Sequence, residues 1–166
     1  MKIRVIKIIF TDAFISPADI PKLRGYFSQL FPNNIELHNH LPGGKFCYKF
    51  PQIQYRVINR HPALIAINDG CDIIKKIFFQ TDELVLQDHV YKVREKEVSV
   101  SEEQIGETDS PIAYKFISPW MALNQENFKS RQMLAFTGDF SVNFHIPEYL
   151  GLGKQSARGF GIVRKI

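Results

Sequence analysis

Cysteine is scarce in this chain of 166 residues: Cys47 and Cys71 are its two thiols. Their spacing matches no zinc motif, and two thiols make no disulfide framework. A reducing, cytoplasmic setting is therefore expected. Long apolar runs are missing as well. Nothing reaches the roughly 18 consecutive apolar residues that cross a bilayer, so no membrane partner is expected. The opening MKIRVIKIIF is too short and too interrupted by cations for a signal peptide and reads as a first strand. Charge of one sign is in slight excess, +4 net, a balance shared by many proteins with no polyanionic partner. There is no Gly-x-Ser-x-Gly stretch or other hydrolase nucleophile signature. Tryptophan occurs once, and Trp120 in SPWMALN reads as core rather than as a stacking platform.

What is present is phenylalanine, 14 residues of it, so aromatic side chains are expected to carry much of the core. The charges are unevenly spread. Lys154, Arg158, Arg164 and Lys165 crowd the last segment with no acid after Glu148, while acids collect between Glu102 and Asp109. A basic end beside glycines favours a phosphate-bearing partner.

Ile and Val enrich Lys2 to Phe10, a strand signal. Ser16, Pro17 and Asp19 then stand as N-cap, first helical residue and capping-box acid, and Asp12 and Asp19 both look structural. Ile20, Leu23, Phe27, Leu30 and Phe31 follow helical spacing until Pro32-Asn33-Asn34. Phe46 to Asn59 reads as a strand region that switches face at Pro51. Ala63 to Ile67 is a short strand, Asp69-Gly70 leads into a helix with Ile73, Ile74, Ile77 and Phe78, and Glu83 to Leu86 is a fourth strand. The order β-α-β-β-α-β is ferredoxin-like, and it predicts both helices on one side of the sheet with the other face free. Beyond it, Val90 to Val100 and Ile112 to Ile117 read as strands around a solvated acidic loop. Leu123 to Phe128 starts a helix, Phe140 to Ile146 alternates as a strand with Phe140, Val142, Phe144 and Ile146 on one face, and Phe160 to Ile166 is the last strand. The expected class is α+β, with modules over 1–87 and 88–166.

The segment GLGKQSARGFG (Gly151 to Gly161) raises the sharpest question. A phosphate-binding Walker loop needs a glycine five residues before Gly-Lys and Ser or Thr after it. Here Glu148 and Gln155 hold those places. A dinucleotide fingerprint needs a third glycine where Ser156 stands, and a helix where a strand follows. What remains is a loop able to approach a polyanion through Gly151, Gly153, Gly159 and Gly161, with charge from Lys154 and Arg158 and hydrogen bonds from Gln155 and Ser156. The alternative is a tight strand connection with incidental cations.

ELHNHLPGG sets His38 and His40 two residues apart, on one side of an extended segment. Two imidazoles in one pocket can both take and give a proton near neutral pH. Cleavage of RNA by its own 2′-hydroxyl needs both acts. Tyr48 could donate a hydrogen bond there, and Lys45 or Lys49 could offset charge on the phosphorane. Zinc binding would need further ligands, and His61, His89 and His145 are scattered. Two exposed loop histidines are the plain alternative.

Three stretches resemble one family. YKFPQIQYRVINRHPALIAINDG (Tyr48 to Gly70) resembles the strand and turn pattern of CRISPR repeat-processing endoribonucleases of the RAMP superfamily. YKFISPWMALNQENF (Tyr114 to Phe128) is similar to the middle motif of their subtype-B branch. FTGDFSVNFHIPEYLGLGKQSARGFGIV (Phe136 to Val163) resembles their terminal glycine-rich loop. The resemblance implies tandem ferredoxin-like modules and cleavage of precursor CRISPR RNA without metal or other cofactor, leaving 2′,3′-cyclic phosphate and 5′-hydroxyl ends. It implies a catalytic role for His38 and His40 with Tyr48 nearby, and RNA binding by the glycine loop. As partners it implies repeat RNA, and a homodimer or effector complex. The family carries a long segment before the FTGDF-like strand, whereas here only Lys129 to Ala135 intervenes. The second module is therefore expected to be abbreviated between 128 and 133.

Overall fold

Ile6, Ile8 and Phe10 enter the core from β1 (Lys2–Phe10), the period-two pattern of a strand with one fully buried face. The computed structural model describes residues 1–37, 49–123 and 133–166. A 3-10 turn (Pro17–Asp19) leads into α1 (Ile20–Leu30), whose Ile20, Leu23 and Phe27 are buried. Leu30, expected on the same face, is instead 45% exposed and lines a shallow groove with Tyr26, Gln29, Val85 and Gln87. The helix start is built as the sequence predicts. Asp19 accepts from Lys22 Nζ at 2.8 Å and from the Ser16 amide and hydroxyl at 3.0 and 2.8 Å.

Lys22 first, and then Ser16, hold the Asp19 carboxyl at about 2, below its ordinary 3.8. The folded state thus favours the carboxylate, so the stability it contributes is whole above about pH 4 and is lost as pH falls toward 2. Urea midpoints measured from pH 5 down to 2 should fall less steeply in Asp19→Asn than in the parent. Identical slopes would count against this assignment. Asp12 is structural too, accepting from the amides of Arg94 and Glu95 at 2.7 and 3.0 Å.

The next strands, β2 (Ile53–Ile58) and β3 (His61–Ile67), pair antiparallel. Asn59 and Arg60 between them both have positive φ, 51° and 70°, the twist-matched geometry of a two-residue hairpin turn. β2 starts only after Pro51, and Phe50 is exposed. In α2 (Gly70–Gln80), Cys71, Ile74 and Ile77 are buried, while Ile73 and Phe78 are partly buried against the same core.

The fourth strand of this sheet is not the expected one. Glu83–Leu86 (β4) turns back at Gln87, whose φ is +56°, and pairs with β5 (His89–Lys92) as a separate two-stranded ribbon. The place beside β1 is taken by β6 (Lys96–Gln104), giving the order β2-β3-β1-β6. That is the ferredoxin-like arrangement with β6 outermost. The compact units are accordingly Arg4–Glu102 and Met1–Ile3 with Glu103–Ile166, rather than a division at 87/88.

The helix-free face of this sheet, expected to be open, is buried over much of β2 and β3 and half-buried at Val5, Lys7 and Ile67. Gln54, Arg56, Ala63, Ile65 and Ile9 on it are all at most 9% exposed. Arg56 donates to Tyr55 O at 2.7 Å and to Gln54 Oε1. Burial pushes its guanidinium down to about 9, which still leaves it charged at neutral pH. Its cost is tolerable only because its donors have partners within the fold.

The C-terminal unit opens with β7 (Gly106–Phe116). The acidic stretch before it, expected as a solvated loop, is strand on both sides of Ile105. Leu123, expected to start a helix, is instead the last residue of β8 (Trp120–Leu123), which pairs with β9 (Met133–Phe136). The rest of that expected helix, and the stretch between 128 and 133 where an abbreviation is expected, lie outside the described residues. β10 (Asp139–His145) and β11 (Val163–Lys165) flank β7 in a three-stranded antiparallel sheet. The expected single apolar face of β10 ends at a bulge between Val142 and Phe144, which leaves Phe144 36% exposed. Among the described residues, 103–166 hold no α-helix. No described helix is long and apolar enough to cross a membrane.

Candidate nucleic-acid interface

The glycine loop is held from beneath by backbone hydrogen bonds. The amides of Leu152, Lys154, Arg158, Phe160 and Gly161 donate to Gly161, Met121, Gln155, Gln155 and Pro119 carbonyls, over 2.7–3.4 Å. The Ile162 amide donates to Ser118 Oγ at 2.9 Å. A free nest of amides awaiting an anion is therefore not what most of this loop presents. Its glycines serve closeness instead. A Cβ on Gly153 (φ +75°) would land inside the Trp120 indole, and one on Gly161 (φ +64°) would land on the Leu152 carbonyl.

What faces outward is specific. Gly151, Ser156, Gly159 and Gly161 are buried, Gln155 is half-buried, and Gly153, Lys154 and Arg158 are exposed. Ser156 to Arg158 forms a 3-10 turn between two left-handed residues, Gln155 (φ 62°) and Gly159 (φ 86°), so Arg158 stands on a fixed backbone. Neither Lys154 nor Arg158 forms an ion pair among the described residues. Lys115 and Arg164 face one another across β7 and β11, and both are exposed with Lys165. Asp139 stands opposite Lys115 on the other side of β7, so the cations left without an acidic partner among the described residues are those of the loop itself, Lys154 and Arg158, placed where a polyanion could meet them.

His38, His40, Lys45 and Tyr48 lie outside the described residues. Lys49 is exposed in the N-terminal unit. The chain on either side of 38–48 is anchored. Leu37 is 1% exposed, and its carbonyl accepts from the Tyr55 and Ser28 hydroxyls at 3.2 and 3.4 Å. Past Lys49, Gln52 O accepts from the Ile67 amide at 2.9 Å. Tyr55 is buried, which raises its phenol far above the ordinary 10, so it is a neutral donor to the chain just before the histidine segment.

Residues 1–104 match the model of the Cas6b N-terminal domain, and 127–166 that of the Cas6b C-terminal domain. The chain belongs to the Cas6b family. Cas6 proteins are CRISPR repeat-processing endoribonucleases with two ferredoxin-like domains in tandem. A crystal structure of Cas6b is 29% identical, with a TM-score of 0.89 over the whole of both chains. A second, of the CRISPR RNA processing endoribonuclease Cas6b, is 25% identical with a TM-score of 0.69, again over both whole chains. An uncharacterized protein of Methanocaldococcus jannaschii is 27% identical over 143 residues, in an alignment covering 55% of this chain and 97% of the relative. A Cas6 product complex, 13% identical with a TM-score of 0.57, shares the fold.

In this Cas6b member the sequence reading missed the aromatic character of the loop's surroundings. Trp120, read as core, is only partly buried. The signal lay in the paired aromatics Tyr114 and Phe116, one face of β7, opposite Phe140.

Proposed function

We propose that this chain cleaves precursor CRISPR RNA within its repeats, without a metal ion, leaving 2′,3′-cyclic phosphate and 5′-hydroxyl ends. One of His38 and His40 removes the proton of the 2′-hydroxyl, whose oxygen attacks the adjacent phosphorus. The other gives a proton to the departing 5′-oxygen. Tyr48 orients the scissile region, and Lys45 or Lys49 offsets the charge that gathers on the phosphorane. Lys154 and Arg158, with Gln155 and the exposed backbone at Gly153, hold flanking phosphates. The buried Gly151, Ser156, Gly159 and Gly161 keep those groups in place. The reading is carried by the match of both Cas6b domain models to a chain whose terminal loop displays, on a fixed backbone, cations with no ion pair among the described residues.

Lys154→Ala with Arg158→Ala should weaken repeat-RNA binding and flatten its salt dependence. Each single-strand phosphate contact adds about 0.7 to the slope of log affinity against log salt, so the double variant should lose roughly 1.4. Binding titrations across a range of salt read this directly, and an unchanged slope would remove the loop from the interface. The lack of an α-helix among the described residues of the second unit favours one other reading, a repeat-RNA-binding subunit without cleavage. It predicts the same salt dependence and no product.

A further inference from the structure

Five rings of the C-terminal unit form a continuous series. Tyr114 stacks on Phe140 at 5.7 Å between centroids and Phe140 on Phe116 at 4.8 Å. Phe116 stacks on Trp120 at 6.4 Å, and Trp120 leans on Phe136 at 5.7 Å. Exposure rises along it, from 0% at Tyr114 to 48% at Phe136. Trp120 and Phe136 are direct partners across β8 and β9, and Leu134, on the same face of β9, is 47% exposed. The buried end fixes the exposed end. Trp120 is held between Phe116 and Phe136 and packs over Gly153.

An exposed aromatic surface of this kind calls for an occupant, and the charge beside it selects one. Lys154 directly follows Gly153 and pairs with Met121, the neighbour of Trp120. Lys154 and Arg158 carry no ion pair among the described residues. A cation-rimmed aromatic platform fits a ligand with flat π faces and a phosphate backbone. A duplex hides its base faces inside the stack, so the fitting form is single-stranded. We infer that Phe136, backed by Trp120, is a stacking platform for an unpaired nucleotide of the RNA whose phosphates the glycine loop holds. The inference rests on the RNA-binding reading above and adds to it a place for a base. As the bridge partner of Met121, Lys154 shares the face of the ribbon opposite Trp120 and Phe136, so it meets the phosphates past the strand edge while the exposed ring takes the base. A platform already held by Phe116 and Gly153 loses little freedom on binding.

The test uses a short oligoadenylate carrying one 2-aminopurine, a blunt RNA duplex for comparison, and the full chain. Trp120 is packed into the fold, so Phe136 is the ring to change. Wild type should bind the single strand with quenched 2-aminopurine fluorescence. Phe136→Ala should lose the quench and roughly 5- to 150-fold in affinity, the effect of one stacked base. Phe136→Trp should keep both, and the salt slope should be the same in all three. Quench and affinity unchanged in Phe136→Ala overturn the platform while salt-dependent binding leaves the RNA reading standing. Equal losses for single strand and duplex, with a lowered melting temperature, also overturn it, since Phe136 would then be only structural. Absence of any salt-dependent RNA binding by wild type removes the RNA reading and the platform with it.

Discussion

Replacing His38 and His40 together with alanine should lower single-turnover cleavage of repeat RNA by about 10³-fold, within the range a positioned proton donor or acceptor contributes. RNA affinity should be retained. Neither imidazole is needed to hold phosphate when Lys154 and Arg158 do so, so loss of chemistry and loss of binding separate. Two groups that act in one proton relay are not additive, and each single variant should lose nearly as much as the double. The parent should show a bell-shaped dependence of rate on pH, because one histidine must be neutral and the other protonated. Each single variant should keep only one limb of that bell. EDTA should leave the rate unchanged, and a 2′-deoxy nucleotide at the mapped cleavage site should stop the reaction because the nucleophile is then missing. Activity abolished by EDTA and restored by a divalent ion would sink the mechanism, as would full activity in the double variant. A chain that binds repeat RNA and yields no product under any of these conditions would be the binding subunit.

Two local features were legible because their contacts lie within a turn or two. The Ser16-Pro17-Asp19 helix start depends on contacts within one turn, and the structure forms it with those residues. The glycine loop was legible as a close-packed turn, although most of its amides are spent within the fold rather than offered to a ligand. What failed was long-range. β4 and β6 are both short of apolar residues on at least one side, and periodicity does not say which one pairs with β1. β6 is an outer strand with Val98 and Val100 half or more exposed, so burial imposes no pattern from which to place it. Alternation also misled at Gln54 and Arg56. Polar residues at every second position read as a solvent face, yet here they are buried with partners. At Val142 and Phe144 the apolar alternation continues in the sequence while the pairing slips in space, from Val142 opposite Ile112 to Phe144 opposite Glu107, and a slip by an odd number of residues changes which side faces the partner.

Gly161→Ala should destabilise the protein by about 3 kcal/mol and weaken RNA binding without removing a single cation. The residue sits at φ +64°, where a side chain costs about 1–2 kcal/mol. Its new Cβ would fall on the Leu152 carbonyl, a backbone atom that cannot swing aside, and forcing apart well-packed atoms costs about 1–3 kcal/mol more. Relief would require moving the Leu152 peptide, which donates to Gly161 O at 2.9 Å, or the Gly161 amide, which donates to Pro119 O at 2.8 Å. A shift of the Leu152 carbonyl moves Gly153, which shares its peptide bond, from beneath Trp120 and carries Lys154 with it. Gly25 provides the opposite sign within the same chain. It lies inside α1, and an added Cβ there meets nothing within 4 Å, so Gly25→Ala should stabilise by about 0.5–1 kcal/mol through helix propensity alone. Chemical denaturation of the two variants beside the parent decides the matter. If Gly161→Ala were as stable as the parent, the loop would have an alternative packing, and its cations would not be held in one place for a phosphate.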